Sequence, residues 1–374
     1  MRKGPHPLSV QISLAASAAG MQGAGQSGFS QQVSLNAAAE MKDMLLGIQK
    51  YQLYPYEPER GPLEKIWEAG TASVSTIPGH AAKKDSAPIL LVPSMVNRAY
   101  ILDLVPERSM LRWLGQQNIT PYILDWGDGV HDAGQQSVEG IVLQRLVPAI
   151  EFVAQKNVGK TGVLGYCMGG TLLAGAAQNA AQNISSLVFL AAPWDFHAGA
   201  RSLLGRVQFW SPSAFPAIAA KGHLPMDWMQ MLFASLDPQS AAKKFAAFAE
   251  MDQDSDEARL FVAVEDWLND GVDLPGPVAH ACIKDWFFEN APFRKEWRLG
   301  GKPVDPAMIN VPSLVIASKQ DRLVDYDTAA AIGKVLPNAK IVNPACGHIG
   351  MIAGSKAISK VWTPVADWIK KNAT

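Results

Sequence analysis

The chain has 374 residues, about half of them apolar, and a formal charge of −1. That is enough for one large domain with an insertion or for two domains, and the near-balance of basic and acidic residues gives no electrostatic footprint for nucleic acid. Three cysteines, Cys167, Cys282 and Cys346, do not make a disulfide framework and fit a reducing, cytoplasmic setting, while no apolar run reaches the ~18–20 residues of a membrane span.

The N-terminal stretch through about residue 35 is rich in Ala, Ser, Gln and Gly. Its basic start and mildly apolar middle echo a secretory signal, but Gln11, Ser13 and Ser17 interrupt the apolar part. It reads as a disordered leader. Residues 36–68 predict a helix, an aromatic loop ("YQLYPYEPERGP") and a short helix around Trp67. A polar linker follows. Short apolar runs then alternate with helical patterns. The runs "PILLVP" (88–93), "TPYILDW" (120–126), "TGVLGY" (161–166) and "SSLVFLAAP" (185–193) have strand length. Helical spacing appears at 108–118, at 137–155, where Pro148 should bend the helix, and after Cys167. Fully apolar strands alternating with helices predict a mostly parallel sheet covered on both faces.

The alternation stops after residue 194. Residues 195–300 carry five of the eleven tryptophans at helical spacing and no convincing strand run. It resumes with "PSLVIAS" (312–318), a helix after Tyr326, "AKIVN" (339–343) and a last helix over about 355–371. The expected organisation is an N-terminal leader and helical segment over 1–85, an α/β core over 86–194 and 305–374, and a helical cap over 195–304. Trp210, Trp228 and Trp267 belong to the packing or acyl channel of that cap.

Gly165-Tyr166-Cys167-Met168-Gly169 stands between a strand and a Gly-rich helix. Glycines two before and two after the central residue form a nucleophile elbow, a tight turn that lifts the nucleophile above the sheet. A helix N-terminus favours the thiolate of a cysteine placed there, and the N–H of Met168 points to where an oxyanion would form. The elbow calls for an acid after a later strand and a histidine near the end of the chain. Asp321 lies just beyond a strand and His348 in a Gly-flanked loop after the last one. Asp195, after the strand that follows the elbow, is the rival acid, while Asp325 and Asp327 read as helix-start residues. The second oxyanion donor belongs to the loop after the first core strand, at Val96 or Met95.

These residues resemble the polyhydroxyalkanoate synthases, acyltransferases of the α/β-hydrolase fold with a cysteine in Gly-Tyr-Cys-x-Gly-Gly. Residues 165–170 have that form. The segments "LLVPSMVNRAYILDLVPERSMLRWL" (90–114), "DWG" (125–127), "PWDF" (193–196), "VEDWLNDGVDLPGP" (264–277) and "GHIG" (347–350) are similar to the family as well. The likeness covers roughly 85–365 and points to the short, two-subunit class. It departs at Arg322, where the family often has His, and at Cys346, where a small residue is usual. The resemblance implies Cys167 as nucleophile, Asp321 as acid, His348 as base, and Met168 and Val96 as oxyanion donors. It also implies a 3-hydroxyacyl-coenzyme A thioester and a growing polyester chain as substrates, with no cofactor. A homodimer or a second synthase subunit, and a place at the surface of polymer granules, go with it. A hydrolase (thioesterase, esterase or polyhydroxyalkanoate depolymerase) using the same Cys-His-Asp triad is the alternative, because related hydrolases share "PWDF" and "EDWLNDG".

Overall fold

A computed structural model of the chain describes residues 2–13, 16–17, 31–80, 86–200 and 202–373. Part of the expected leader, residues 14–15 and 18–30, lies outside the described residues. Contacts group the chain into two compact units, Met1–Glu59 with Met226–Gly271, and Arg60–Pro225 with Val272–Thr374.

The second unit is built on an eight-stranded sheet. Its strands are β1 (Glu64–Ala69), β2 (Ala72–Thr76), β3 (Ala87–Val92), β4 (Ile119–Asp125), β5 (Thr161–Tyr166), β6 (Ile184–Leu190), β7 (Ser313–Ile316) and β8 (Ala339–Val342). Their order is β1-β2-β4-β3-β5-β6-β7-β8. The β1–β2 and β2–β4 pairs are antiparallel and the others parallel. Every residue of β3, β5, β6 and β7 is buried, which matches their continuous apolar runs and helices on both faces.

The sheet begins earlier than expected. Trp67 is not helical but lies in β1, whose register pairs Ala69 with Ala72 across a turn at Gly70. Gly70 takes φ 59°, a value suited to glycine. Ala72, Ser73, Val74 and Thr76 are buried, and Thr76 Oγ1 donates to the Pro121 carbonyl at 2.9 Å. The core therefore takes in residues 64–76, which the expected boundary at 86 left out. The break at Pro148 is present as a π-helical turn, Val142–Leu146, leading into the helix Val147–Lys156. Proline has no N–H to continue the ladder from the preceding turn, and the local change of pitch accommodates it.

The first unit is helical. Helix Gln31–Leu53 packs along helix Ser240–Glu250. Met44, Ile48, Tyr51, Phe245, Phe248 and Val262 form its core. Residues 2–13 are not a loose leader: Arg2 Nε donates to the Tyr51 carbonyl at 3.0 Å and Nη2 to that of Tyr54 at 2.7 Å, and its Nη1 pairs with Asp266. The expected single cap over 195–304 is divided as a result. Trp228 and Trp267, both buried, belong to the first unit, while Trp210, on helix Ser202–Lys221, belongs to the second. Two-residue ladders, His223–Leu224 with Leu274–Pro275 and Arg298–Leu299 with Lys302–Pro303, interrupt the helical run. Helical periodicity shows that an apolar face must be covered but not by which partner, and here Phe245 and Phe248 are covered by the N-terminal helix.

Phe245→Ala should cost about 3–5 kcal/mol, since its side chain is wholly buried in the first unit. Phe209→Ala, at a side chain 71% exposed, should stay within about 0.5 kcal/mol of the parent. Urea unfolding curves for the two variants check both values.

Candidate active site

Cys167 follows the last residue of β5 and precedes helix Met168–Ala180, with φ 53° and ψ −127°. A non-glycine residue in that region is strained and is held there by its surroundings. The glycines around it make the turn possible. A Cβ on Gly165 would run into the backbone of Gly169 and Gly170, and one on Gly170 into Ala192. A Cβ on Gly169 would collide with the carbonyl oxygens of Val92 and Pro93 at the end of β3. The elbow thus lies directly against the loop expected to supply the second oxyanion donor. Trp126 Nε1 donates to the same Pro93 carbonyl at 3.1 Å and fixes the start of that loop. Cys167 N donates to the Leu190 carbonyl at 2.9 Å, which ties the elbow to β6.

The loops after β7 and β8 bring two of the predicted partners together. His348 Nδ1 lies 2.7 Å from Asp321 Oδ2, and the Asp321 side chain is 1% exposed. Asp321 Oδ1 accepts the N–H groups of Leu323 and Val324 at 2.8 and 2.9 Å, so the carboxylate is aimed by its own turn. Cys167 is the second group that acts on the imidazole and favours its protonated form. With Nδ1 on Asp321, Nε2 is the nitrogen left for sulfur. Burial alone would lower the proton affinity of His348. The charges of Asp321 and Cys167, with their hydrogen bonds, outweigh it and raise the value from the ordinary 6.5 to about 10.

Asp195, the rival acid, is engaged elsewhere. Its Oδ1 accepts from Asn290 Nδ2 at 2.8 Å and from His197 N at 3.0 Å. Met168, 8% exposed, begins the elbow helix, where first-turn N–H groups have no intrahelical acceptor. The Val96 N–H faces Ser94 Oγ at 3.3 Å, and the Val96 carbonyl accepts from Val272 N at 3.0 Å. Cys346 is buried and burial pushes its thiol up. Cys282 is pushed up to about 12 by burial and then by Asp285.

Two supporting residues were not singled out from the sequence. Ser318 Oγ lies 2.7 and 2.6 Å from the carbonyls of Pro344 and Cys346 and accepts from Gln320 N at 3.0 Å, which clamps the histidine loop to the acid loop. The signal is a hydroxyl at the end of the otherwise apolar run 314–317. The Tyr166 ring stacks on His348 with centroids 5.1 Å apart and planes 29° apart.

A sequence model for the alpha/beta hydrolase fold matches residues 142–355, and one for the N-terminus of poly-beta-hydroxybutyrate polymerase (PhaC) matches residues 76–114. The chain is 28% identical to the poly(3-hydroxyalkanoate) polymerase subunit PhaC of Haloferax mediterranei over 76% of this chain and 59% of that one. With the protein of the same name from Haloarcula marismortui it shares 27% identity over 84% of this chain and 67% of the other. With that of Thiocystis violacea the figures are 25%, 76% and 81%. The chain thus spans less than two thirds of the Haloferax protein and about four fifths of the Thiocystis one. The elbow, the parallel sheet and these matches place the chain in the alpha/beta hydrolase fold family, and its named relatives there are poly(3-hydroxyalkanoate) polymerases.

Proposed function

We propose that the chain is an acyltransferase that forms polyhydroxyalkanoate from 3-hydroxyacyl-coenzyme A, with the acyl group carried on Cys167. The observation that carries this reading is the 2.7 Å pair of Asp321 and His348, with Cys167 acting on the same imidazole from a strained elbow. Cys167 Sγ gives its proton to His348, and the thiolate attacks the thioester carbonyl. The oxyanion of the tetrahedral intermediate is received by the N–H of Met168 and, as second donor, that of Val96, which must then turn from Ser94. As the carbonyl reforms, the bond to the coenzyme A sulfur breaks and that sulfur leaves as the thiol with the proton from His348. One C–S bond is exchanged for another, so the acyl group stays activated. The hydroxyl of a second 3-hydroxyacyl unit, or of the growing chain, then gives its proton to His348. Its oxygen bonds the acyl carbon, the bond to Cys167 Sγ breaks, and the released sulfur takes the proton from His348. Asp321 holds the imidazole in orientation and stabilises the imidazolium through both halves.

A sulfur nucleophile suits this two-stage transfer better than a hydroxyl, because an ester on serine would sit lower in energy and favour hydrolysis. The reading includes a homodimer or a second synthase subunit as partner, in line with the word "subunit" in the relatives' name. It also includes a cytoplasmic place at the surface of polymer granules, where so apolar a product collects. No described helix is long and apolar enough to cross a membrane.

Purified protein incubated with 3-hydroxybutyryl-coenzyme A should release coenzyme A and form polymer. Free acid in place of polymer would assign the same residues to hydrolysis. In that assay Cys167→Ala should abolish coenzyme A release, and Cys167→Ser should lose most of it. Near-parental polymer from the serine variant would refute a thiol carrier.

His348→Ala should lower the rate on the order of 10³-fold or more. Asp321→Asn should be severe, whereas Asp195→Asn, whose amide oxygen can still accept from Asn290 and His197, should stay within about tenfold of the parent. The reverse ranking in kcat would reassign the acid.

The raised His348 also has a sign that can be measured. A group whose proton affinity rises on folding adds stability below its unfolded value and loses that contribution as pH rises through the folded one. The urea midpoint of the parent should therefore exceed that of His348→Gln most at or below pH 6.5, and the gap should shrink as pH approaches about 10. A gap that widens over that range would contradict the assigned ion pairing.

A further inference from the structure

Tyr166 stands between the strand that carries the nucleophile and the loop that carries the base. It is the last residue of β5, paired in register with Leu190 of β6, and 2% exposed. It touches His348 in two ways. The ring lies over the imidazole at 5.1 Å between centroids and 29° between planes, and the hydroxyl donates to the His348 carbonyl at 3.3 Å. Burial holds that hydroxyl in its neutral form, and the nearby Cys167 and Asp321 add to the effect. The titratable groups facing the imidazole are thus Asp321, Cys167 and Tyr166 itself.

A hydrogen bond from Asp321 fixes one atom of the imidazole but leaves the ring free to rock about the Nδ1···Oδ2 line. A flat wall against one face removes that freedom. An aromatic face also carries negative charge density, so it favours a cation stacked on it over the neutral ring. On the triad reading given above, we propose that Tyr166 is a positioning residue. Its ring sets the plane of the His348 imidazole between Asp321 and Cys167 and stabilises the imidazolium that forms during each half of the transfer. Because Tyr166 and Cys167 are consecutive in the chain, nucleophile and base take their alignment from the same strand end.

The test is the titration of the His348 imidazole by NMR, assigned through the signals lost in His348→Gln, together with kcat and KM for coenzyme A release from 3-hydroxybutyryl-coenzyme A. Tyr166→Phe keeps the ring and should leave the His348 midpoint where it is, with a rate loss of about fivefold or less. Tyr166→Leu removes the wall. Its midpoint should fall by about 0.4–1 pH unit, and kcat should drop on the order of tenfold or more with KM little changed. Should the leucine variant fail to fold, pentafluorophenylalanine at 166 keeps the ring's shape and reverses its quadrupole. It should lower the midpoint in the same direction relative to Tyr166→Phe. Equal midpoints in the parent, the phenylalanine variant and the wall-less or reversed-quadrupole variant would overturn the proposal. The titration needs no substrate, so that failure is separate from failure of the triad reading, which would show as turnover surviving in Cys167→Ala.

Discussion

Cys167 is held at φ 53°, a conformation that costs an L-residue about 1–3 kcal/mol, and the arrangement around it depends on that one strained position being kept. The surroundings over-determine it. Gly165 and Gly170 close on one another beneath the turn, Gly169 lies on the Val92 and Pro93 carbonyls, and the Cys167 N–H is bonded to Leu190. Three neighbouring strand ends, β3, β5 and β6, therefore meet at a single residue. Relaxing the cysteine would move it away from the imidazole and also withdraw the start of the elbow helix from the loop after β3.

On the other side of the cysteine, Asp321 and His348 behave as one piece. Asp321 is turned by the N–H groups of Leu323 and Val324, and Ser318 bridges from the same loop to the carbonyls of Pro344 and Cys346. The 2.7 Å contact from His348 to Asp321 closes the circuit. The segment after β6 is held independently. Thr171 on the elbow helix donates to the Pro193 carbonyl at 2.7 Å, the Trp194 N–H reaches the Thr328 carbonyl at 3.1 Å, and Asn290 clasps Asp195. This explains why a carboxylate so near the site in sequence is not the histidine's partner: its Oδ1 braces the chain that leaves the sheet.

Much of this was legible in the residues, for reasons that differ from place to place. The elbow announces itself because only glycine tolerates the close approaches at 165, 169 and 170, and such a requirement is written directly in residue type. The parallel strands show as unbroken apolar runs because both of their faces are covered. β1 and β2 did not show. β1 is a half-exposed edge strand whose polar and charged residues mask its period, and Trp67 in such a setting suits a helix equally well. The partition of residues 195–304 was hidden for another reason. An amphipathic helix declares that one face must be covered without naming what covers it, and the partner of 240–250 lies near residue 50. Ser318 and Tyr166 act through contacts that no local spacing encodes.

The discontinuity of the first unit has a consequence for how the protein comes into being. Helix Gln31–Leu53 packs on a helix made about 190 residues later in the chain. At about 5–20 residues per second of synthesis, some 10–40 s separate the two on the ribosome. Throughout that interval Met44, Ile48 and Tyr51 lack Phe245 and Phe248 to cover them. The early helix therefore emerges with an unprotected greasy stripe and without the tertiary packing that supplies most of a helix's stability. Whatever shields that stripe while the sheet of the second unit is being translated governs how much of the newly made chain reaches its folded form.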